Sequence, residues 1–361
     1  MGCGALGLAS ALISSLVLNV LFCSGLLAPA PLGSGGQVQL AERFHSGGRT
    51  TSDKIAIITV SGPILEGMLG FAHQQIRQAA RDDAVKAVVL RIDSPGGSIT
   101  ASDDLLLRLQ RLRDGESPGI LGRPKPIVAH MGSVCASGGY YIAMAAAQSD
   151  VEPRQKLFAE RSTITGSIGV YASLPNAREL ADKVGVTIEM IKAGDIKGSG
   201  SPFHELTPQE RQPWQDMVDH AYAQFVGVVE AGRPKLKGRL MEPLFPPKVV
   251  ARFDNRGQVV DKNAGEYTRR RADGGIFTAE QARDAGLIDA IGPIDSAIAA
   301  VAAEAGLREW KAVEYEKPQT ILNVLTGIDV AGAVPKPDVM PRLWYLMPYA
   351  EPGVRLQPLA P

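Results

Sequence analysis

"KAVVLRIDSPGG", residues 86 to 97, is a strand rich in Val and Leu that runs into a Pro-Gly-Gly turn. Its neighbours repeat the device. Upstream, "KIAIITVSG" (54 to 62) reads as a strand, and downstream "KPIVAHMGS" (125 to 133) is an apolar strand ending in glycine. "VTIEMI" (186 to 191) has the same look. Between them stand helices: "TASDDLLLRLQRLRD" (100 to 114) carries an apolar and a charged face, and "NARELADKVG" (176 to 185) stops at a glycine. Strands separated by helices imply an α/β fold.

The longest helix is expected from Thr207 to Gly232, opened by a capping box of Thr207 and Glu210 with Pro208 at the first position. Trp214, Met217, Val218, Ala221, Tyr222, Phe225 and Val229 fall on one stripe, which suits a core or a subunit interface. "FTAEQARDAGLID" (277 to 289) repeats the box with Thr278 and Gln281, and "DSAIAAVAAEAG" (295 to 306) closes the body. Residues 233 to 271 read as a basic insertion, with eleven Lys or Arg against four Asp or Glu. A hairpin turning at Asp254 to Gly257 is expected inside it, solvated or touching anionic lipid or polypeptide. From 313 to 361 the chain is a Pro-rich tail.

With 361 residues the chain can bury a sizeable core. Its 38 Lys and Arg balance 38 Asp and Glu, so no global field favours nucleic acid. Three widely spaced cysteines give neither a disulfide framework nor a zinc pattern, and five scattered histidines give no metal-ligand spacing. No metal and no cofactor is expected. Residues 1 to 41 contain no charged side chain, and the 24 residues from Ala5 to Ala28 are predominantly apolar. That length suffices for a bilayer span of ~20 residues and exceeds the usual signal-peptide core. Residues 1 to 30 are therefore read as an uncleaved transmembrane anchor, and 31 to 53 as a solvated linker rich in Gly, Ser and Gln.

"CASGGYYIAM" (135 to 144) sets a serine and two glycines before a run that reads as a buried helix. Each glycine costs a helix interior about 1 kcal/mol against alanine, so the pair calls for a packing or a chemical reason. If a strand ends at Met131 and a helix starts near Ser137, the serine sits where free backbone N–H groups favour developing negative charge. Gly138 then lets its N–H approach a substrate oxyanion, and Gly96 and Gly97 of "DSPGGS" offer a second bare donor. A serine nucleophile also needs a base. His130 and His204 read as structural or surface residues. A lysine can substitute where burial lowers its pKa. Lys197 in "KAGDIKGSGSPF" is the candidate and Lys192 its competitor.

"DSPGGSITASDD", "MGSVCASGGYYIAMAA", "STITGSIGVYA", "IKAGDIKGSGSPF" and "GGIFTAEQARDAGLID" follow one another in an order that resembles signal peptide peptidase A, or protease IV, of the serine/lysine peptidases. The resemblance covers roughly 54 to 305. It implies Ser137 as nucleophile, Lys197 as general base, Ser167 as a serine holding the lysine amine, and Gly97, Gly138 and Gly96 as oxyanion donors. It further implies a crotonase/Clp-protease-like fold of repeated ββα units over 54 to 312. The single copy of the motifs looks like the short form of the family, a membrane-anchored ring whose subunits share active sites. "QSDVEPRQ" (148 to 155) departs from the pattern as extra sequence, as does the length of the basic stretch.

The reading is a single-pass membrane serine endopeptidase, its catalytic domain extracytoplasmic, that cuts hydrophobic peptides such as remnant signal peptides. Tyr140, Tyr141 and Ile142 are expected to give an apolar lining. Two rivals stand beside it: a crotonase-type acyl-CoA enzyme using a similar pair of backbone donors, and an inactive membrane scaffold.

Overall fold

The computed structural model describes residues 39–116, 123–146, 155–254, 257–317 and 343–346. Strands β1 (Glu42–Gly47) and β2 (Lys54–Ser61) lead to helix α1 (Gly70–Arg81). Strand β3 (Val85–Ser94) and the short β4 (Gly96–Ser98) lead to α2 (Ile99–Asp114), one ββα unit, and β5 (Ile127–Ala136) runs into the short α3 (Gly138–Ala143). Then come β6 (Leu157–Ala159), β7 (Ile164–Gly166), β8 (Tyr171–Ala172), α4 (Arg178–Lys183) and the long α5 (Pro208–Gly232). The chain continues with β9 (Lys248–Phe253), β10 (Val259–Tyr267), β11 (Ile276–Thr278), α6 (Ala279–Asp284), β12 (Ala290–Ile291), α7 (Ile294–Glu304), β13 (Lys311–Tyr315) and β14 (Leu343–Leu346).

Seven strands of the main sheet follow the order β1-β13-β2-β3-β5-β6-β12, parallel except for β1, which pairs β13 antiparallel at the edge; off this path β7 pairs parallel with β5, and β11 antiparallel with β7. Parallel strands are covered on both faces and so are written as continuous apolar runs rather than alternating ones. Ile55, Ile57, Val89 and Val128 pack against Ala297, Ile298 and Val301 of α7. Because side chains alternate along a strand, Ala56, Ile58, Val88 and Leu90 face the other way, where α1 and α3 contact the sheet and α2 packs on both helices. The fold is thus a mixed α/β one.

Several boundaries differ from the sequence reading. Glu42–Gly47, inside the expected linker, is a sheet strand, and Lys311–Tyr315 adds another after the helix expected to close the body. Neither short strand stands out by apolar pattern; pairing with distant segments makes them strands. "VTIEMI" is irregular and exposed, with no sheet partner among the described residues. Both capping boxes are present. On α5 only Ala221, Phe225 and Val229 of the stripe are buried, so its first half has no core to face in the single chain. The basic insertion contains the expected hairpin, and the N–H of Gly257 closes its turn on the carbonyl of Asp254 at 3.0 Å. The anchor call on 1 to 30 and most of the extra stretch at 148 to 155 lie outside the described residues.

β5 does not stop at Met131. Ile92 pairs with Met131 and Ser94 with Cys135, so β5 carries a bulge around Gly132 and Ser133 and continues to Ala136. The bulge is satisfied from both sides: Asp93 Oδ1 accepts the N–H of Val134 at 3.1 Å, and Thr163 Oγ1 donates to the carbonyl of Gly132 at 2.6 Å. Bulges re-aim a strand end, and this one aims β5 at α3.

Ile298 is 1% exposed between α7 and the sheet. Ile298→Ala is expected to cost about 2–5 kcal/mol in urea unfolding. Val249→Ala on the exposed hairpin stays within about 0.5 kcal/mol of wild type.

Candidate active site

Ser137 joins β5 to α3 with φ 54° and ψ −118°. Among the described residues only two non-glycine positions have positive φ, Ser137 and Ser167. Such a conformation costs about 1–3 kcal/mol and persists only where the surroundings impose it. The imposition is visible in the register. β5 and β7 run parallel with Cys135 opposite Thr165 and Ala136 opposite Gly166, so Ser137 and Ser167 leave the sheet side by side. The N–H of Ser137 donates to the carbonyl of Gly166 at 2.8 Å, and that of Ser167 to the carbonyl of Gly275 at 2.9 Å. Ser137 is 1% exposed, and its Oγ is a buried hydroxyl without a hydrogen-bond partner among the described residues. Buried hydroxyls are normally paired, so this one is held ready for something.

The two glycines after Ser137 have packing reasons as well. A Cβ on Gly139 would lie 2.7 Å from the carbonyl oxygen of Ser94, and one on Gly138 2.6 Å from Ser102 Oγ and 3.1 Å from the nitrogen of Gly97. The backbones of Gly138 and Gly97 therefore touch. Ile64 donates to the carbonyl of Gly96 at 2.9 Å and accepts from the N–H of Ser98 at 2.8 Å. Along a trans strand that alternation turns the N–H of Gly97 to the opposite edge. There β14 pairs antiparallel with β4, Tyr345 opposite Gly97, and its other edge pairs with β8. Gly96 departs from expectation: its N–H is spent on Ser94 Oγ at 3.1 Å, which leaves Gly138 and Gly97 as the candidate donors, Gly97 on the edge that β14 occupies.

Tyr140 and Tyr141 are fully buried and line no open surface. Tyr140 donates to the carbonyl of Leu287 and Tyr141 to Asp103 Oδ1, each at 2.7 Å, which locks α3 to the body. The groove beside β4, about 690 Å³, is lined instead by Glu66, Ser98, Thr100, Asp216, Met217 and His220 among others. His130, 1% exposed, contacts the carbonyl of Gly292 at 3.2 Å, and burial lowers its pKa. It belongs to the sheet.

Residues 121–240 match the model of peptidase family S49. A Synechocystis sp. protein named as a protease is 33% identical over 283 residues, which cover 78% of this chain and 85% of that one. The chain belongs to peptidase family S49. Two further relatives of this S49 chain bear the names of the signal peptide peptidase A, or protease IV, group. Protease 4 of Salmonella typhi is 28% identical over 76% of this chain and 38% of its own length, and the chloroplastic serine protease SPPA of Arabidopsis thaliana is 32% identical over 82% and 37%. The S49 chain thus spans well under half of those two. Among solved structures, a ClpP1 mutant from Listeria monocytogenes aligns at 10% identity over 67% of this chain and 94% of its own, with a TM-score of 0.36. The S49 chain is a serine protease of this group.

Lys197 of the S49 chain makes no hydrogen bond to Ser137 Oγ. It lies exposed in a turn between Gly194, φ 92°, and Gly198, φ 108°, where its N–H donates to the carbonyl of Gly194 at 3.1 Å. Lys192, the competitor, is committed: its Nζ donates to the carbonyl of Asp195 at 2.8 Å and lies 3.4 Å from Glu210 Oε1. Glu210, whose side chain is 3% exposed, collects the Thr207 N–H at 3.0 Å, Thr207 Oγ1 at 3.1 Å and His204 Nε2 at 2.8 Å. The sequence showed this glutamate only as a helix cap.

Gly138→Ala is expected to lower kcat/KM on a peptide substrate by about 100-fold or more, because the added methyl pushes the bare N–H groups apart. Ser102→Ala in the same chain removes the nearest clash and restores part of the loss. Circular dichroism of both variants matches wild type.

Proposed function

We propose that the S49 chain is a membrane-anchored endopeptidase with a Ser137/Lys197 dyad that cuts hydrophobic peptides, remnant signal peptides among them. The observation that carries the reading is the Ser137 hydroxyl, without a hydrogen-bond partner among the described residues and held at a positive-φ junction next to the backbone of Gly138 and Gly97. Lys197 Nζ takes the proton of Ser137 Oγ as that oxygen attacks the peptide carbonyl. The N–H groups of Gly97 and Gly138 hold the resulting oxyanion. The C–N bond breaks, the leaving amine receives the proton from Lys197, and an acyl-enzyme remains. Water, losing its proton to Lys197, then attacks the ester and releases the acid and free Ser137. Ser167, beside Ser137 at the strand ends, orients the amine. No metal or organic cofactor enters.

A buried Ser137 and an exposed Lys197 with no hydrogen bond between them support a site completed by a neighbouring copy, as in a ring. Leu180, Val184, Ile191, Ile196 and Phe203 are exposed on the segment that bears Lys197, and such contiguous apolar surface suits a subunit contact. Residues 1 to 30 serve as the anchor, with the body on the extracytoplasmic side.

The strand β14 favours a peptide over an acyl-CoA. It shows that an extended chain fits between β4 and β8 with ladder bonds on both edges, the arrangement a polypeptide substrate needs. A thioester has no such backbone to offer.

A fluorophosphonate probe is expected to label wild type and not Ser137→Ala. Neither Ser137→Ala nor Lys197→Ala cleaves a hydrophobic peptide alone, and mixing the two restores cleavage. Labelling that persists in Ser137→Ala removes the nucleophile, continued silence of the mixture confines the site to one chain, and an assembled wild type that cuts nothing returns the scaffold.

A further inference from the structure

Glu210 is a nearly buried carboxylate on α5 that the protease reading leaves without a role. Charged side chains are seldom buried unless paired, and Glu210 is paired on every side. A carboxylate has about four lone-pair positions, and here four donors arrive from two segments of chain. Thr207 supplies two from the helix cap, while His204 and Lys192 supply one each from the two ends of the loop that bears Lys197. Lys192 then passes the constraint on. Its Nζ holds the carbonyl of Asp195, the residue inside the Gly194–Lys197 turn, so the turn is fixed to the start of α5 through one ammonium group.

We infer that Glu210 is a positioning residue: through Lys192 it fixes the turn that presents the Lys197 amine, and His204 holds the far end of the same loop. The inference rests on the dyad reading of Lys197. It also explains why the segment carries two lysines. Lys192 is the strut and Lys197 the working group. The Thr207 backbone N–H and the His204 ring hold the Glu210 carboxyl down at about 2, so the strut keeps its anion throughout the range in which a peptidase operates.

Glu210→Gln preserves the acceptor that caps α5, since glutamine serves a capping box as glutamate does, but removes the charge that grips Lys192. The expected result is an unchanged thermal midpoint, a kcat lower by about tenfold to a hundredfold and a KM within about twofold, because a misplaced base slows chemistry without loosening the substrate. Lys192→Met is expected to lose as much, Lys192→Arg to recover at least half of wild-type kcat, and the Glu210→Gln/Lys192→Met double variant to be no worse than either single one. Wild-type kcat in Glu210→Gln and Lys192→Met overturns the inference. So does a double variant whose losses multiply, or a Lys192→Arg no better than Lys192→Met. Should Glu210→Gln unfold, the Lys192 pair decides alone. Lys197→Ala is measured alongside: if it keeps its activity the dyad reading falls, whereas a silent Lys197→Ala beside fully active strut variants refutes the positioning role only.

Discussion

Gly138 and Gly97 touch backbone to backbone, and that contact constrains everything around them. It requires two strands to end in register and two turns to carry no side chain. β3 must deliver its Pro-Gly-Gly turn at the level where β5 gives way to α3, and without a correction the two would miss. The bulge at Gly132 and Ser133 is the correction, and Asp93 and Thr163 exist to satisfy it. Asp93 belongs to the strand it corrects against, while Thr163 comes from the loop before β7. The same loop therefore sets the bulge and, a few residues later, places Ser167 beside Ser137. An unpaired buried polar group would cost about 1–3 kcal/mol, so the pairing is part of the site's construction.

Strain enters at the same point. Both serines sit in a backbone region that glycine occupies easily, yet neither is glycine, because each must bring a hydroxyl. The ladder bonds of β5 and β7 hold Ser137 and Ser167 there from behind, and the two N–H groups that would be lost by turning are caught by Gly166 and Gly275. In front, a glycine follows Ser137, and the buried hydroxyl has no hydrogen-bond partner among the described residues. Position and readiness come from the same few bonds.

What the sequence showed of this arrangement was whatever depends on neighbours along the chain. Most apolar runs and both capping boxes are local and appear where expected, although "VTIEMI" forms no strand and β5 runs past Met131. The motif glycines pointed to a site because their cost demanded a reason. What it did not show depends on distant partners. Gly132 and Ser133 look like the end of a strand unless Asp93 and Thr163 are brought to them. Glu42–Gly47 and Lys311–Tyr315 become strands only against each other and β2. Gly96 looked as bare as Gly97 until Ser94 Oγ claimed its N–H. The tyrosines of α3 read as a lining and are bolts, their hydroxyls turned inward to Leu287 and Asp103. Choosing between Lys192 and Lys197 needed the same kind of knowledge, since only the fold reveals which ammonium is already held.

On the dyad reading, the incompleteness of one chain follows from physical requirements that conflict within it. A lysine acts as a base only where water is scarce, and dry surroundings are made by covering apolar surface. The segment around Lys197 has that surface, but none of the described residues covers it: Ile191 is 94% exposed. A neighbour that buried Ile191, Ile196 and Phe203 would dry the amine and bring it to a serine in the same movement. The favourable term is apolar burial, at roughly 25 cal/mol per Å², and it must also offset the cost of desolvating the ammonium. Assembly and activation would then be one equilibrium. A lone chain would carry a strained nucleophile with no base, its substrate slot filled by its own strand β14, and hydrolysis would begin only where copies accumulate.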